Sequence, residues 1–226
     1  MKYNAITEGI FLERPNRFVA KVLVDGRQEL AHVKNTGRCR ELLIPGVCVY
    51  LEKNNNPQRK TAFSLIAVQK GERLINMDSQ APNVVAEEYI KSGHVVEGLT
   101  YLKREYKYKD SRFDFYYEAG QRKGFIEVKG VTLEENGIVL FPDAPTLRGV
   151  KHLNELAQAV SFEYEAKVLF VVQMENVRYF TPNVRTHPEF ARALVHARDQ
   201  GVFVQALWCR VGKDTLEIAG EVPVVL

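Results

Sequence analysis

Hydrophobic and polar positions alternate with a period of two along most of the first 78 residues, the pattern of half-buried strands. Residues 18–24 run to Asp25-Gly26, a hairpin signal; residues 29–33, 47–52, 62–69 and 74–77 repeat the pattern, with Asn54-Asn55-Asn56-Pro57 as a turn. Between Val33 and Val47 the segment from Thr36 to Leu43 predicts a short helical turn that stops before Pro45-Gly46. About five strands in so short a stretch predict a small closed barrel, OB-like in type.

The clearest alternation comes later. In residues 111–118 Phe113, Phe115 and Tyr117 fall on one side and Arg112, Asp114 and Glu118 on the other; in residues 125–130 Ile126 and Val128 oppose Glu127 and Lys129. The intervening residues 119–124, with Gly120 and Gly124, predict a hairpin turn. If Phe113 and Phe115 share a buried face with Ile126 and Val128, register sends Asp114, Glu127 and Lys129 together to the opposite face.

Around this hairpin the period changes. Residues 79–83 read as a linker and helix start, and residues 84–92 as a helix closed by Gly93. Residues 131–133 and 138–141 read as short strands, and Phe141-Pro142-Asp143-Ala144-Pro145-Thr146 breaks the chain before a helix over 146–162. That helix carries Leu147, Val150, Leu153, Leu156, Ala157 and Val160 at helical spacing, with Arg148, Lys151, His152 and Glu155 on other faces. Residues 166–173 are a continuous apolar run and predict a central strand parallel to its neighbour; a helix over 188–200 and a strand over 202–210 follow. The predicted class is α/β (α+β): an OB-like domain over residues 1–82, then a mixed sheet with flanking helices over 83–226.

Composition adds little to this and removes some alternatives. With 226 residues, 46% hydrophobic and 26% charged, the chain can bury a proper core. No apolar run is long enough to span a membrane and the N-terminus lacks a signal-peptide core, so a cytoplasmic location is expected. Cys39, Cys48 and Cys209 are odd in number and without C-x-x-C spacing, which argues against a disulfide framework or a zinc site. Net charge is only +3, but residues 1–82 hold 13 basic and 8 acidic side chains, a net of +5.

Two carboxylates beside an ammonium have a specific use. Asp114 and Glu127 supply hard oxygens for Mg²⁺ or Mn²⁺, and Lys129 serves an attacking water or the charge that develops on phosphorus. The blander reading of the same residues is a solvated ladder of charge pairs. An Asp followed by Glu-x-Lys on the next strand resembles the core of the PD-(D/E)XK nuclease superfamily, in which the peptide carbonyl here belonging to Val128 often joins the metal shell. That resemblance also implies an acidic residue from the preceding helix; Glu88 is the candidate, with Glu87 and Glu105 as competitors. Gln173, at the end of its strand, is a further residue able to point into the site. His152 reads as a surface or structural histidine.

Basic residues at strand ends and turns, Arg14, Arg17, Arg38, Arg40, Arg59 and Lys60, together read as phosphate contacts, as do Arg112, Arg148 and Lys151 near the acids. Taken singly, each barrel residue reads better as a solubilising surface charge, and Arg148 and Lys151 read equally as the wet side of a packed helix.

Further blocks sharpen the resemblance. Glu13-Arg14-Pro15-Asn16-Arg17-Phe18, His32-Val33-Lys34-Asn35-Thr36-Gly37-Arg38-Cys39, Asn76-Met77-Asp78-Ser79-Gln80, Ser111-Arg112-Phe113-Asp114-Phe115, Glu127-Val128-Lys129-Gly130-Val131-Thr132-Leu133 and Phe141-Pro142-Asp143-Ala144-Pro145-Thr146 together resemble the sugar fermentation stimulation protein A family. The resemblance implies an OB-like domain, a nuclease-like domain and non-specific DNA binding in a prokaryotic cytoplasm. Asp114, Glu127 and Lys129 carry over without substitution. Two functions fit: a DNA-binding protein with a Mg²⁺- or Mn²⁺-dependent nuclease site acting on DNA or RNA, or a catalytically silent DNA-binding regulator of sugar (maltose) metabolism genes. A metal-dependent hydrolase of a small phosphoester leaves the basic barrel without a task. Homo-oligomer formation stays open.

Overall fold

The computed structural model describes residues 1–35, 37–54, 58–59 and 61–226. Its first six strands are β1 (Ile6–Asn16), β2 (Val19–Val24), β3 (Arg27–Val33), β4 (Cys48–Lys53), β5 (Phe63–Lys70) and β6 (Arg73–Asn76). β2 turns into β3 at Asp25-Gly26, where both residues have positive φ, the geometry that matches the twist of a two-residue hairpin. Antiparallel pairs β1–β2, β2–β3, β1–β4 and β4–β5 and a parallel β3–β5 pair close a five-strand barrel, with β6 added beside β5. The OB-like expectation holds. Phe11, Ala20, Val22, Val33, Val49, Leu51 and Leu65 fill the interior.

β1 is a strand that the alternation does not predict. Register shifts on either side of Glu13 break its period, and Gly9 stands where a Cβ would meet the Leu23 carbonyl and the Leu51 side chain. The helical turn expected before Pro45 reduces to a single turn in which the N–H groups of Leu42 and Leu43 both donate to the Cys39 carbonyl; Thr36 lies outside the described residues. Asn55, Asn56, Pro57 and Lys60 also lie outside them.

The second unit begins with α1 (Ala81–Lys91), three residues earlier than the spacing predicts because Pro82 is accommodated in the first turn. β7 (Tyr101–Tyr108), β8 (Ser111–Ala119) and β9 (Arg122–Val131) form an antiparallel meander. After β10 (Leu133–Glu135) and β11 (Ile138–Phe141) comes α2 (Leu147–Val160), whose N-cap Thr146 accepts the Gly149 N–H through its hydroxyl. β12 (Glu165–Val172), β13 (Tyr179–Pro182), α3 (Pro188–Asp199), β14 (Phe203–Val211) and β15 (Leu216–Val222) complete the chain. The main sheet has the order β15-β14-β12-β9-β8-β7, with β12 parallel to both β9 and β14, as its unbroken apolar run predicts. β10, β11 and β13 form a small separate sheet. Among the described residues no helix is long and apolar enough to cross a membrane.

Helices cover both faces of the main sheet. α1 packs with Phe115, Tyr117, Ile126, Val128, Leu169 and Val171; α2 and α3 pack with Phe113, Tyr116, Phe125, Val168 and Phe170. This corrects one expectation: Phe113 and Phe115 lie in cores on opposite sides of the sheet. The alternation slips between them, opposite Glu105, whose φ of 49° interrupts β7. The charged residues therefore do not line a wet face; they occupy a place where two strands part. The helix α2 also departs from its predicted stripe, with Leu147 exposed and His152 buried.

Candidate active site

The ladder between β8 and β9 runs from Ala119–Arg122 to Phe115–Ile126 and goes no further. Where the next rung would form, the Asp114 side chain takes over: its Oδ2 accepts the Val128 N–H at 2.7 Å and its Oδ1 accepts Asn83 Nδ2 of α1 at 2.9 Å. Glu127 approaches from the other side of the parting strands and is 3% exposed. Its Oε1 is held by Lys129 Nζ and His152 Nδ1. Its Oε2 is buried with no hydrogen-bond partner among the described residues.

Arg148 Nε lies 3.3 Å from His152 Nε2. Since arginine can only donate, that nitrogen accepts, and Nδ1 is the ring nitrogen that faces Glu127. The edge of the Phe113 ring contact, with centroids 6.1 Å apart, fixes the imidazole plane.

The two acids are tuned apart. Burial, and then the negative charge of Glu127, push the Asp114 carboxyl up to about 6 against the opposing Val128 N–H, Lys129 and Asn83. Burial also opposes ionisation of Glu127, but Lys129 and His152 outweigh it and hold this carboxyl below its usual range. Two carboxylates facing one ammonium leave an excess of negative charge around the unpartnered Glu127 oxygen. Both carboxylates and the Val128 carbonyl are hard oxygen donors, the kind that Mg²⁺, Mn²⁺ or Ca²⁺ takes. Among the described residues no three His, Cys, Asp or Glu side chains gather as a metal cage, so a cation here draws on peptide and water oxygens as well.

The remaining predicted residues are dispersed. Glu88 is on the exposed side of α1 and accepts from the Met1 ammonium at 2.8 Å; the α1 residue that reaches the acids is Asn83. Glu87 pairs with Lys91 and Arg104, and Glu105 with Arg112. Gln173 is buried and ties the two units together, its Nε2 donating to Asn76 Oδ1 and the Asp78 carbonyl at 2.9 and 3.1 Å. Arg14 is engaged with four backbone carbonyls, those of Arg17, Asn35, Gly37 and Arg38, at 2.7–2.9 Å. These bonds make it a clamp on the backbone around it. Arg17, Arg38, Arg40 and Arg59 are exposed on the barrel, with Arg59 donating to Asn54 Oδ1 at 3.2 Å; Lys60 is outside the described residues. Arg148 and Lys151 are exposed on α2, and Lys151 donates to the Asp110 carbonyl at 3.3 Å.

Asn83 and His152 are the two site residues that sequence reasoning missed. The signal for His152 was present: Gly149, His152, Leu153 and Leu156 form a buried stripe at helical spacing. Asn83 falls in the segment that the pattern reads as linker and helix start, whereas α1 already begins at Ala81. Beside the acids, Ser79, Gln80, Asn83, Val84, Arg104 and Glu105 line an open cleft of about 690 Å³.

Comparison with known proteins covers both units. Residues 12–77 match a family model described as an SfsA N-terminal OB domain, and residues 80–215 one described as a sugar fermentation stimulation protein RE domain. The chain is 58% identical over 226 residues to the sugar fermentation stimulation protein homolog of Desulfitobacterium hafniense strain DSM 10664 / DCB-2, covering 100% of this chain and 99% of the relative. It is 56% identical to that of Clostridium beijerinckii, over the whole of both chains. The solved structure of Pyrococcus furiosus SfsA, described as a complex with Ca²⁺, superposes with a TM-score of 0.91 at 29% identity, covering 100% of this chain and 98% of the other.

Proposed function

The chain belongs to the sugar fermentation stimulation protein family, and on that premise we propose that it binds nucleic acid and cleaves phosphodiesters with a divalent cation. The observation that carries this reading is the buried, unpartnered Oε2 of Glu127 beside Asp114. An orphan carboxylate oxygen in a site with surplus negative charge is costly unless a cation answers it. The Ca²⁺ in the Pyrococcus furiosus relative gives the same direction.

Asp114, Glu127 and the Val128 carbonyl would hold the ion, Mg²⁺ or Mn²⁺. Once bound, it supplies Lewis acidity toward a phosphate oxygen and lowers the pKa of water. The chain's own residues do the rest. The Val128 N–H and Asn83 aim the Asp114 carboxylate, while His152 and Lys129 keep Glu127 ionised and fixed in rotamer. Lys129 also stands where an ammonium can orient a water and balance charge growing on phosphorus. Arg148, exposed at the outer end of the His152 contact, offers a planar donor to a phosphate entering from the cleft. On the barrel, Arg17, Arg38, Arg40 and Arg59 give the polyanion a sequence-independent hold. In this division of labour residues 1–82 grip and residues 83–226 cut.

The test is cleavage of single-stranded and duplex DNA and of RNA with Mg²⁺ or Mn²⁺ by highly purified protein. Cutting that disappears in Asp114→Ala while binding persists supports the reading. Binding without cutting under either metal leaves a silent nucleic-acid-binding protein, with regulation as its use.

A further inference from the structure

β7 is the edge strand of the main sheet, and its outward residues alternate in an unusual way. Tyr101, Lys103, Arg104, Lys107 and Lys109 are exposed, with Tyr106 and Tyr108 half-buried between them. Tyr101, Lys103, Tyr106, Tyr116, Lys123 and Tyr164 line an open cleft of about 730 Å³. Lysines guard many edge strands against pairing with other chains, so cations alone would say nothing of a ligand.

The aromatic rings say more. Tyr106 and Tyr116 stack at 4.4 Å with an interplanar angle of 23°, and Tyr101 stands edge-on to Tyr116 at 6.3 Å. Tyr101 is 48% exposed, and Phe162, at the far end of the same edge, is 56% exposed. Each group of rings carries a cation: Lys103 lies 5.4 Å from the Tyr106 centroid, and Lys109 lies 5.4 Å from Tyr108 and 4.2 Å from Phe162. Two exposed rings, Tyr101 and Phe162, set among ammonium groups match the repeat of a nucleic-acid strand, a flat base followed by an anionic phosphate. Duplex bases hide their faces, so the complement is an unpaired strand.

A buried aromatic cluster lies between this cleft and the acids. Phe125 contacts Tyr106, Tyr108, Tyr116 and Tyr164 on one side and Phe113 on the other, and Phe113 meets His152 beside Glu127. Glu127 is two residues along β9 from Phe125, about 7 Å at the rise of an extended strand. Resting on the nucleic-acid reading above, we infer that the β7 edge is a stacking track for single-stranded nucleic acid, placing unpaired nucleotides on the approach to Asp114 and Glu127. This deepens that reading by naming its substrate class.

The experiment uses the full chain in EDTA, with a single strand of about twelve nucleotides carrying 2-aminopurine and the duplex of the same sequence. Tyr101→Ala should weaken single-strand binding about tenfold, the scale of one lost stacking contact, and relieve the quenching of 2-aminopurine. Tyr101→Phe should restore both, and duplex affinity should stay within about twofold in all proteins. Phe162→Ala, at a second exposed ring, should repeat the single-strand loss. Equal losses on single strand and duplex, or no loss on the single strand, would overturn the track. Tight duplex binding with an unaffected Tyr101→Ala overturns the track alone; wild-type protein that binds neither form overturns the nucleic-acid reading with it.

Discussion

The carboxylate of Asp114 accepts the backbone N–H of Val128 at 2.7 Å, just past the last rung between β8 and β9. A side chain thereby closes the gap that the parting strands leave and ties Asp114 to the strand that carries Glu127. Backbone and acid are thus held as one piece.

Removing the Asp114 charge should stabilise the cation-free protein. Its carboxyl is raised from 3.8 to about 6, so the favourable contribution is present below pH 3.8 and lost as pH rises through 6. In EDTA at pH 7.5, Asp114→Asn should melt at higher temperature than wild type, by a free energy on the order of 1–3 kcal/mol, and the gap should vanish near pH 4. Thermal denaturation at the two pH values checks this.

Glu134 joins the units from the other side. Buried, it accepts from Lys70 of β5, lies 2.8 Å from Arg73 of β6 and takes the Gly137 N–H. Burial opposes its charge, but these donors prevail and hold the carboxyl at about 2. Its stabilisation is complete above pH 4.5 and is lost as pH falls toward 2. Glu134→Gln should cost on the order of 2–4 kcal/mol at neutral pH and flatten the acid limb of the stability curve, read by urea titration.

His152 should act through Glu127. His152→Ala deprives Oε1 of a donor and is expected to weaken divalent-cation affinity by about 10–100-fold, with His152→Gln recovering part of the loss. Calorimetric titration with Mn²⁺ distinguishes this from a packing defect, which would lower melting temperature without a selective change in affinity.

Arg14 and Arg38 are neighbours with different work. Arg14→Ala strips four carbonyls of their donor and should destabilise the barrel by about 2–3 kcal/mol. Arg38→Ala should leave melting unchanged and lower the salt slope of DNA binding by about 1. Melting curves and binding isotherms at several salt concentrations separate the two.

The barrel was legible because alternation there has one wet face and its turns carry Asp25-Gly26 and similar signals. β12 was legible as an unbroken apolar run. What failed was the inference from period to face in 111–118: with helices on both sides, Phe113 and Phe115 both read as core, and nothing in the pattern marked the slip at Glu105. The acids and Lys129 are legible nonetheless, since their spacing follows from the strands themselves. Asn83 and His152 belong to helices that only tertiary packing brings to the hairpin. Arginine exposure was illegible for a related reason, because Arg14 and Arg17 look alike until the carbonyls of Asn35, Gly37 and Arg38 are brought to one of them.

The most direct test is Mn²⁺ binding to metal-stripped protein, followed by calorimetry and electron paramagnetic resonance for wild type, Asp114→Asn and Glu127→Gln. Saturable binding in wild type, weakened at least about tenfold in each variant without loss of fold, is the predicted result. Equal Mn²⁺ affinity in all three proteins, or none in wild type, would contradict a cation site at Asp114 and Glu127.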